Sequence, residues 1–280
     1  MSSAPPAMAT GSERRDPAER PVAIVTGASS GIGQATAIML AARGFDLGIT
    51  FRSNAAGAQD AQAAVAAHGG RAVVERLDMR DGREIAPTLG RLADALGRVD
   101  VLVNNGGMYR QTDELEDWAD MFAVHVTGPW VAAQAVAPRM RAAGRGGRII
   151  NVTSILATES QAGAAAYCAA KAALEMVTRV LALELAPDRI LVNAVAPGNI
   201  ATPASFGDAV PDAMTFERPV IPLRRPGAAD EIASAIAFLA SADSSYVTGA
   251  SLLVDGGLKL VSGAQTLQEA VGVPESRDGP

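Results

Sequence analysis

The run PVAIVTGASSGIG, starting at Pro21, joins a short apolar strand to a glycine-rich turn and then to a helix that continues through QATAIMLAAR to a glycine at Gly44. That unit is the first of a series. Strand-like runs follow at DLGITF, RAVVERLD, VDVLVNN, RIINVTS, ILVNAVAP and SLLVD, with helical segments between them. Strands alternating with helices at this spacing require parallel βαβ units with right-handed crossovers, because each strand must return to the same end of the sheet. The predicted architecture is α/β: one doubly wound domain over 21–258, with no internal repeat and no break in composition.

The flanks and one long excursion differ in kind. Residues 1–20 mix Ser, Ala, Pro and charges without periodicity and read as a flexible leader, while 259–280 read as either an arm toward a neighbouring subunit or a frayed tail. Between Pro197 and Gly227 the chain carries Pro197, Pro203, Pro211, Pro219, Pro222 and Pro226 with weak periodicity. An excursion of that length after a strand's carboxyl end, where open α/β sheets bind ligands, predicts a substrate lid over 199–226.

Composition excludes several functions. The 280 residues carry a net charge of -6 with 19% charged residues and no cluster of Lys or Arg, which argues against nucleic acid or an anionic membrane as partner. No run is long enough to span a membrane and the amino terminus lacks a signal-peptide core, so the expected compartment is the cytoplasm. The single cysteine, Cys168, leaves no internal disulfide, and His68 and His125, far apart in sequence, give no basis for a metal site.

Ala164 to Leu185, rich in Ala, Leu, Glu and Arg and free of Gly and Pro, reads as one long, largely buried helix. Tyr167 and Lys171 are one turn apart on it, which places their Cβ atoms about 5–6 Å from each other. A phenol with a pKa of about 10 is a poor base at neutral pH, and a nearby ammonium favours the phenolate. The pair is a candidate acid/base unit. The same spacing also suits a core tyrosine beside a snorkelling lysine. Cys168, rotated about 100° from Tyr167, is better placed for packing than for chemistry.

The turn TGASSGIG sets Gly27, Gly31 and Gly33 between strand and helix, where glycine lets backbone approach a pyrophosphate and free N–H groups face its charge. The spacing is GxxxGxG, and three glycines can also be only a turn. At the end of the second strand an NAD site usually offers a carboxylate to the ribose, but here Arg52 and Ser53 follow Phe51, which favours NADP(H) over NAD(H). Asp78, ending the third strand, is either an acceptor for the adenine amino group or a helix N-cap.

Together TGASSGIG, LDM at 77–79, NNGG at 104–107, Ser154 thirteen residues before Tyr167, YCAAK and PGNIAT at 197–202 resemble the short-chain dehydrogenase/reductase family, in order, from about residue 21 to 258. Reductases of 3-oxoacyl carrier proteins and sugar dehydrogenases are the nearest in look. The resemblance implies a Rossmann domain with a seven-stranded parallel sheet, a homotetramer, and NAD(P)(H)-dependent interconversion of a small carbonyl compound and its alcohol. It assigns the general acid/base to Tyr167, ribose binding and lowering of the tyrosine pKa to Lys171, and carbonyl polarisation to Ser154. Cofactor contacts fall to the turn (Gly27, Ser29, Ser30, Gly31, Ile32, Gly33), to Arg52, Ser53, Asp78 and Met79, to Asn105 and Gly106, and to Pro197, Gly198, Ile200 and Thr202. Met108, Tyr109, Ile155, Gln161 and the lid from Asn199 to Leu223 are expected around the substrate.

Two positions depart from the family. Gly106 stands where NNAG has alanine, a small loss of packing. His125 stands where VNLTG has the asparagine of a water relay to the lysine, and either joins that relay as a titrating member or only fills the helix. A non-catalytic dinucleotide sensor on the same fold is the alternative function. Cofactor-free dehalogenation is disfavoured by the presence of Lys171 and all three glycines.

Overall fold

The computed structural model describes residues 20–111, 114–207 and 209–261. The leader before Arg20, Asp113 and the chain from 262 onward lie outside them. Seven strands form one all-parallel sheet in the order β3-β2-β1-β4-β5-β6-β7: β1 Val22–Val25, β2 Asp46–Phe51, β3 Ala72–Arg76, β4 Val101–Asn104, β5 Gly147–Val152, β6 Ile190–Pro197 and β7 Ser251–Val254. The order reverses between β1 and β4, which opens a crevice at the strands' carboxyl ends.

The period-two alternation of side chains divides the core into two layers. Ala23, Val25, Val101, Val103, Ile150 and Val152 face one side, where α1 Gly31–Ala42, α2 Ala55–Ala67 and α8 Ala229–Leu239 cover them. Ile24, Leu102 and Ile149 face the other, beneath α3 Gly82–Leu96, α5 Gly128–Ala143 and α6 Ala165–Leu185. These side chains are fully buried or nearly so, and truncating such an isoleucine to alanine typically costs about 2–5 kcal/mol.

Four local outcomes differ from the sequence reading. Arg20, placed at the end of the leader, belongs to the fold: its Nε lies 3.1 Å from buried Asp46 and its guanidinium donates to the Phe45 carbonyl at 3.2 Å. The helical segment expected between β4 and β5 is not one continuous α-helix. Here α4 Leu115–Phe122 runs into a π-helical turn, Ala123–Thr127, before α5 begins. Pro129 has no N–H, so the His125 carbonyl lacks its α-helical donor, and the wider turn absorbs that mismatch ahead of the proline. Glu116 and Asp117 sit in the first turn of α4, where carboxylates suit the helix dipole.

Third, α3 is capped by Asp81, whose side chain accepts from the Arg83 N–H, and not by Asp78. Fourth, α6 is less enclosed than expected. Lys171, Leu174, Thr178 and Leu181 are buried, but Met176, Val180 and Leu183 form an exposed stripe at helical spacing. The excursion after β6 holds one short helix, α7 Pro203–Phe206, and returns beside its origin through an Ile200–Gly227 bridge. Among the described residues no helix is long and apolar enough to cross a membrane.

Candidate active site

A cavity of about 730 Å³ occupies the crevice over the carboxyl ends of β1 to β6. Its glycine-rich end is built from the first turn. Gly27 and Gly31 have φ of +64° and +54°, and a Cβ on Gly27 would lie 2.6 Å from the Cα of Gly106, so the turn and the end of β4 touch backbone to backbone. Thr26 holds them together. Its Oγ1 accepts from the N–H groups of Asn105 at 3.0 Å and Gly106 at 2.9 Å, while Asn105 Nδ2 donates to the Thr26 and Gly27 carbonyls. Ser29, Ser30, Gly31 and Ile32 line the cavity, and the Ser30 hydroxyl is not used to cap α1.

Gly33 stands behind that surface. It does not line the cavity; a Cβ there would lie 2.4 Å from the Gly27 carbonyl oxygen and from Asn105 Nδ2, so its absence lets α1 pack under the turn. Every other residue expected to contact cofactor is on the wall. Arg52 and Ser53 follow β2, and Asp78 and Met79 follow β3. Asp78 is ion-paired with Arg80 at 2.6 Å, and that guanidinium holds its carboxyl below the usual range. Of the two readings for this residue, the capping one is excluded because Asp81 caps the helix. Pro197, Gly198, Ile200 and Thr202 close the far side, with the Thr202 methyl 3.3 Å from where a Cβ on Gly31 would stand.

The central wall carries Ser154, Tyr167, Lys171 and His125. Ser154 ends the β5 run and caps the short turn Ile155–Ala157, its Oγ accepting from the Leu156 N–H at 3.1 Å. Lys171 is buried and its Nζ donates to the Val152 carbonyl at 2.8 Å, 5.6 Å from the Tyr167 ring centroid. The ammonium was expected to lower the phenol, and burial acts against it. Burial pushes the Tyr167 phenol up to about 12, opposed by the Ser154 hydroxyl, and burial pulls the Lys171 amine down to about 7. Desolvation outweighs the pair's attraction because both groups sit inside the wall.

His125 lies in the π-helical turn, edge-on to Tyr167 with centroids 5.3 Å apart. Its Nε2 is 2.7 Å from the Met108 carbonyl oxygen, so that nitrogen carries the proton and donates. Burial, then the Lys171 charge, holds the imidazole well below its ordinary pKa, which makes it a neutral anchor for the segment after β4 and not a titrating group near pH 7. That segment brings Tyr109 against Tyr167 at 5.0 Å, edge to face, and the Tyr109 hydroxyl accepts from Gln161 at 2.8 Å. Met108, Ile155 and Gln161 also line the cavity, as expected. Leu156 and Leu258 are on the wall without a sequence signal, while Arg218 belongs to the Asn199–Leu223 segment expected around the substrate, though nothing singled it out within that segment.

A phosphate cradle at a topological switch point, opening onto a wall with a hydroxyl, a phenol and an amine, defines an oxidoreductase of the dinucleotide-binding kind. The family model described as enoyl-(acyl carrier protein) reductase matches residues 27–259, and the chain belongs to that family, within the short-chain dehydrogenases/reductases. It is 46% identical to an uncharacterized oxidoreductase of Escherichia coli over 86% of this chain and 96% of that one. It is 41% identical to a cis-4-hydroxycyclohexanecarboxylate dehydrogenase of Sinomonas cyclohexanicum, over 87% and 98%. Among solved structures, an acetoin dehydrogenase of Salmonella typhimurium superposes with a TM-score of 0.81 at 45% identity, over 87% and 98%. Members of the family bind a nicotinamide dinucleotide, and the turn fits one, since Gly27 and Gly31 hold the left-handed conformation that a side chain would strain and a Cβ on Gly27 would run into the Gly106 backbone.

Proposed function

We propose that the protein is an NADP(H)-dependent oxidoreductase that interconverts a small carbonyl compound and its alcohol, with Tyr167 as general acid/base. The observation that carries this reading is the presence of Ser154, Tyr167 and Lys171 on the wall of the same cavity as the glycine turn. When bound, the dinucleotide supplies or takes the hydride. In reduction the carbonyl gains that hydride on carbon and one proton on oxygen, and the protein's task is the proton.

A phenol raised to about 12 keeps its proton at neutral pH and so acts as donor to the carbonyl oxygen. Ser154 Oγ uses a lone pair on the Leu156 N–H, which leaves its own hydrogen to polarise the same oxygen. Lys171, pinned by the Val152 carbonyl, still has donors for the nicotinamide ribose. His125 positions Met108 and, through it, Tyr109. Arg52 and Ser53, in a strand end without a carboxylate, support the preference for a 2′-phosphate.

The segment 199–226 acts as the substrate lid in this reading. The exposed stripe Met176, Val180 and Leu183 on α6, with half-exposed Leu252 and Leu253 on β7, supports burial in a homotetramer. The protein is assigned to the cytoplasm, with no nucleic-acid or membrane partner. The names of the relatives point to a small hydroxy ketone or a ring alcohol as the kind of substrate.

The test is a panel of acetoin, cyclic ketones, a 3-oxoacyl thioester, a sugar and an enoyl thioester mixed with the full chain and NADPH. Loss of nicotinamide absorbance with ketones supports the reading. Loss with the enoyl thioester alone, or cofactor binding with no turnover at all, overturns it, the latter in favour of a dinucleotide sensor.

A further inference from the structure

Among the described residues three Lys or Arg side chains line the cavity: Arg52 after β2, Lys171 and Arg218. Lys171 already donates to the Val152 carbonyl. Arg218 is different. Its Cζ lies 6.0 Å from the centroid of the Phe206 ring, which is itself held edge-to-face by Phe216 at 6.0 Å, so the guanidinium lies over one supported aromatic ring. Its Nε is closed off from solvent without a hydrogen-bond partner, and among the described residues no carboxylate or carbonyl meets the side chain.

Among the described residues the one acidic side chain on the wall, Asp78, follows β3 and is taken by Arg80. A half-buried cation without a counter-charge costs free energy that a ligand carboxylate would return, and a guanidinium fork held in place matches a carboxylate in two hydrogen bonds. The same cavity is lined by the apolar side chains of Met108, Ile155, Leu156 and Leu258. We propose that Arg218 is a specificity residue that pairs with a carboxylate carried by the substrate, so that small hydroxy and oxo carboxylic acids with an apolar ring or chain are preferred. This proposal rests on the carbonyl/alcohol reading above.

The test compares 4-oxocyclohexanecarboxylate with its methyl ester, which has the same ketone without the charge. In the full chain with NADPH, kcat/KM for the acid should exceed that for the ester by roughly 10- to 100-fold, the range of a charge-assisted pair. Arg218→Ala should bring the ratio close to one by raising KM for the acid, and Arg218→Lys should fall between, with circular dichroism showing that both variants are folded. A wild-type ratio near one overturns the proposal. So does an Arg218→Ala variant that raises KM for NADPH while the acid-to-ester ratio persists, which would place the guanidinium on the nucleotide.

Titration of cyclohexanecarboxylate into the NADPH-saturated protein, read by nicotinamide fluorescence, separates the two readings. Saturable binding lost in Arg218→Ala, with no ketone reduced, upholds the carboxylate pair and overturns the reductase. Ketone reduction without such binding does the reverse.

Discussion

Lys171 Nζ donates to the carbonyl of Val152, the last residue of β5, at 2.8 Å, so the central helix is tied to the sheet by an amine that burial has pulled from 10.5 down to about 7. Between those two values the unfolded chain binds more protons than the folded one, and folding is favoured as pH rises. Below about 7 the cost of the buried cation is fully present. Lys171→Met removes both the cation and the bond. Its Tm relative to wild type should therefore climb as pH falls from about 10 to about 7 and then level off, each kcal/mol being worth about 2–4 °C in a chain of this size. Melts at about pH 6, 8 and 10 check this, and a difference independent of pH would remove burial as the cause.

The raised phenol of Tyr167 makes the two directions of reaction respond differently to pH. Reduction needs the protonated form, which persists to about 12, so this group imposes no alkaline loss on ketone reduction below that value. Alcohol oxidation needs the phenolate and should keep rising through the alkaline range. Tyr167→Phe should lower kcat for reduction by about 10²–10⁴-fold. The NADPH dissociation constant should move far less than the rate. An oxidation rate that reaches its plateau near neutral pH would show that the phenol is not governed by burial during turnover.

The sequence carried the architecture well because each strand is an apolar run closed by a breaker. Both β2 at Asp46–Phe51 and β6 at Ile190–Pro197 have the bounds that their letters suggest. Contacts between distant segments were less legible. Spacing put Tyr167 and Lys171 on one face of a helix, but it says nothing of how dry that face is, and dryness decides both pKa directions. Asp78 looks like a cap from its place after a strand, and only the observed helix start gives that role to Asp81. Gly33 looks like a phosphate glycine, yet its neighbours are Gly27 and Asn105, residues on two other elements. Arg218 had no motif at all, because its partner Phe206 meets it through the fold of an irregular segment.

Arg52 gives the cofactor preference a direct measurement. Its side chain is exposed at the cavity rim, with no carboxylate at the strand end to repel a 2′-phosphate. Arg52→Ala should weaken NADPH by roughly 10-fold or more, the scale of one charge-assisted hydrogen bond, and leave NADH within about twofold. Added salt should weaken NADPH binding to the wild type more than to the variant, since an exposed pair is screened. Equal losses for both nucleotides would assign Arg52 to something other than the 2′-phosphate.

Two glycines in the cradle should answer differently to the same added methyl group. On Gly27, at φ +64°, it would stand 2.6 Å from the Cα of Gly106, a backbone atom that cannot move without opening the cradle. Gly27→Ala should cost on the order of 1–3 kcal/mol in strain, and more from the clash. On Gly106 the nearest atoms are the Met79 Cγ at 3.2 Å and Thr26 Oγ1 at 3.3 Å, of which the first belongs to a flexible side chain. Gly106→Ala should stay within about 1 kcal/mol of wild type. Denaturant unfolding of both, with NADPH affinity alongside, checks the ranking; equal destabilisation would mean that the turn and the end of β4 are not in contact.

His125 offers the sharpest separation of a positioning role from a proton-relay role. With its Nε2–H given to the Met108 carbonyl at 2.7 Å and its pKa held low by burial, the ring has no proton to exchange near neutral pH. What it controls is the segment that sets Tyr109 edge-on against Tyr167. His125→Phe keeps the ring and loses the donor, so KM for the ketone should rise several-fold with a smaller change in kcat, and the pH profile should keep its shape. A glutamine, which can still donate an amide hydrogen, should recover part of the KM. If instead kcat falls with KM unchanged and an ionisation near about 6.5 disappears from the profile, the imidazole is titrating during turnover, and the neutral anchor is the wrong description.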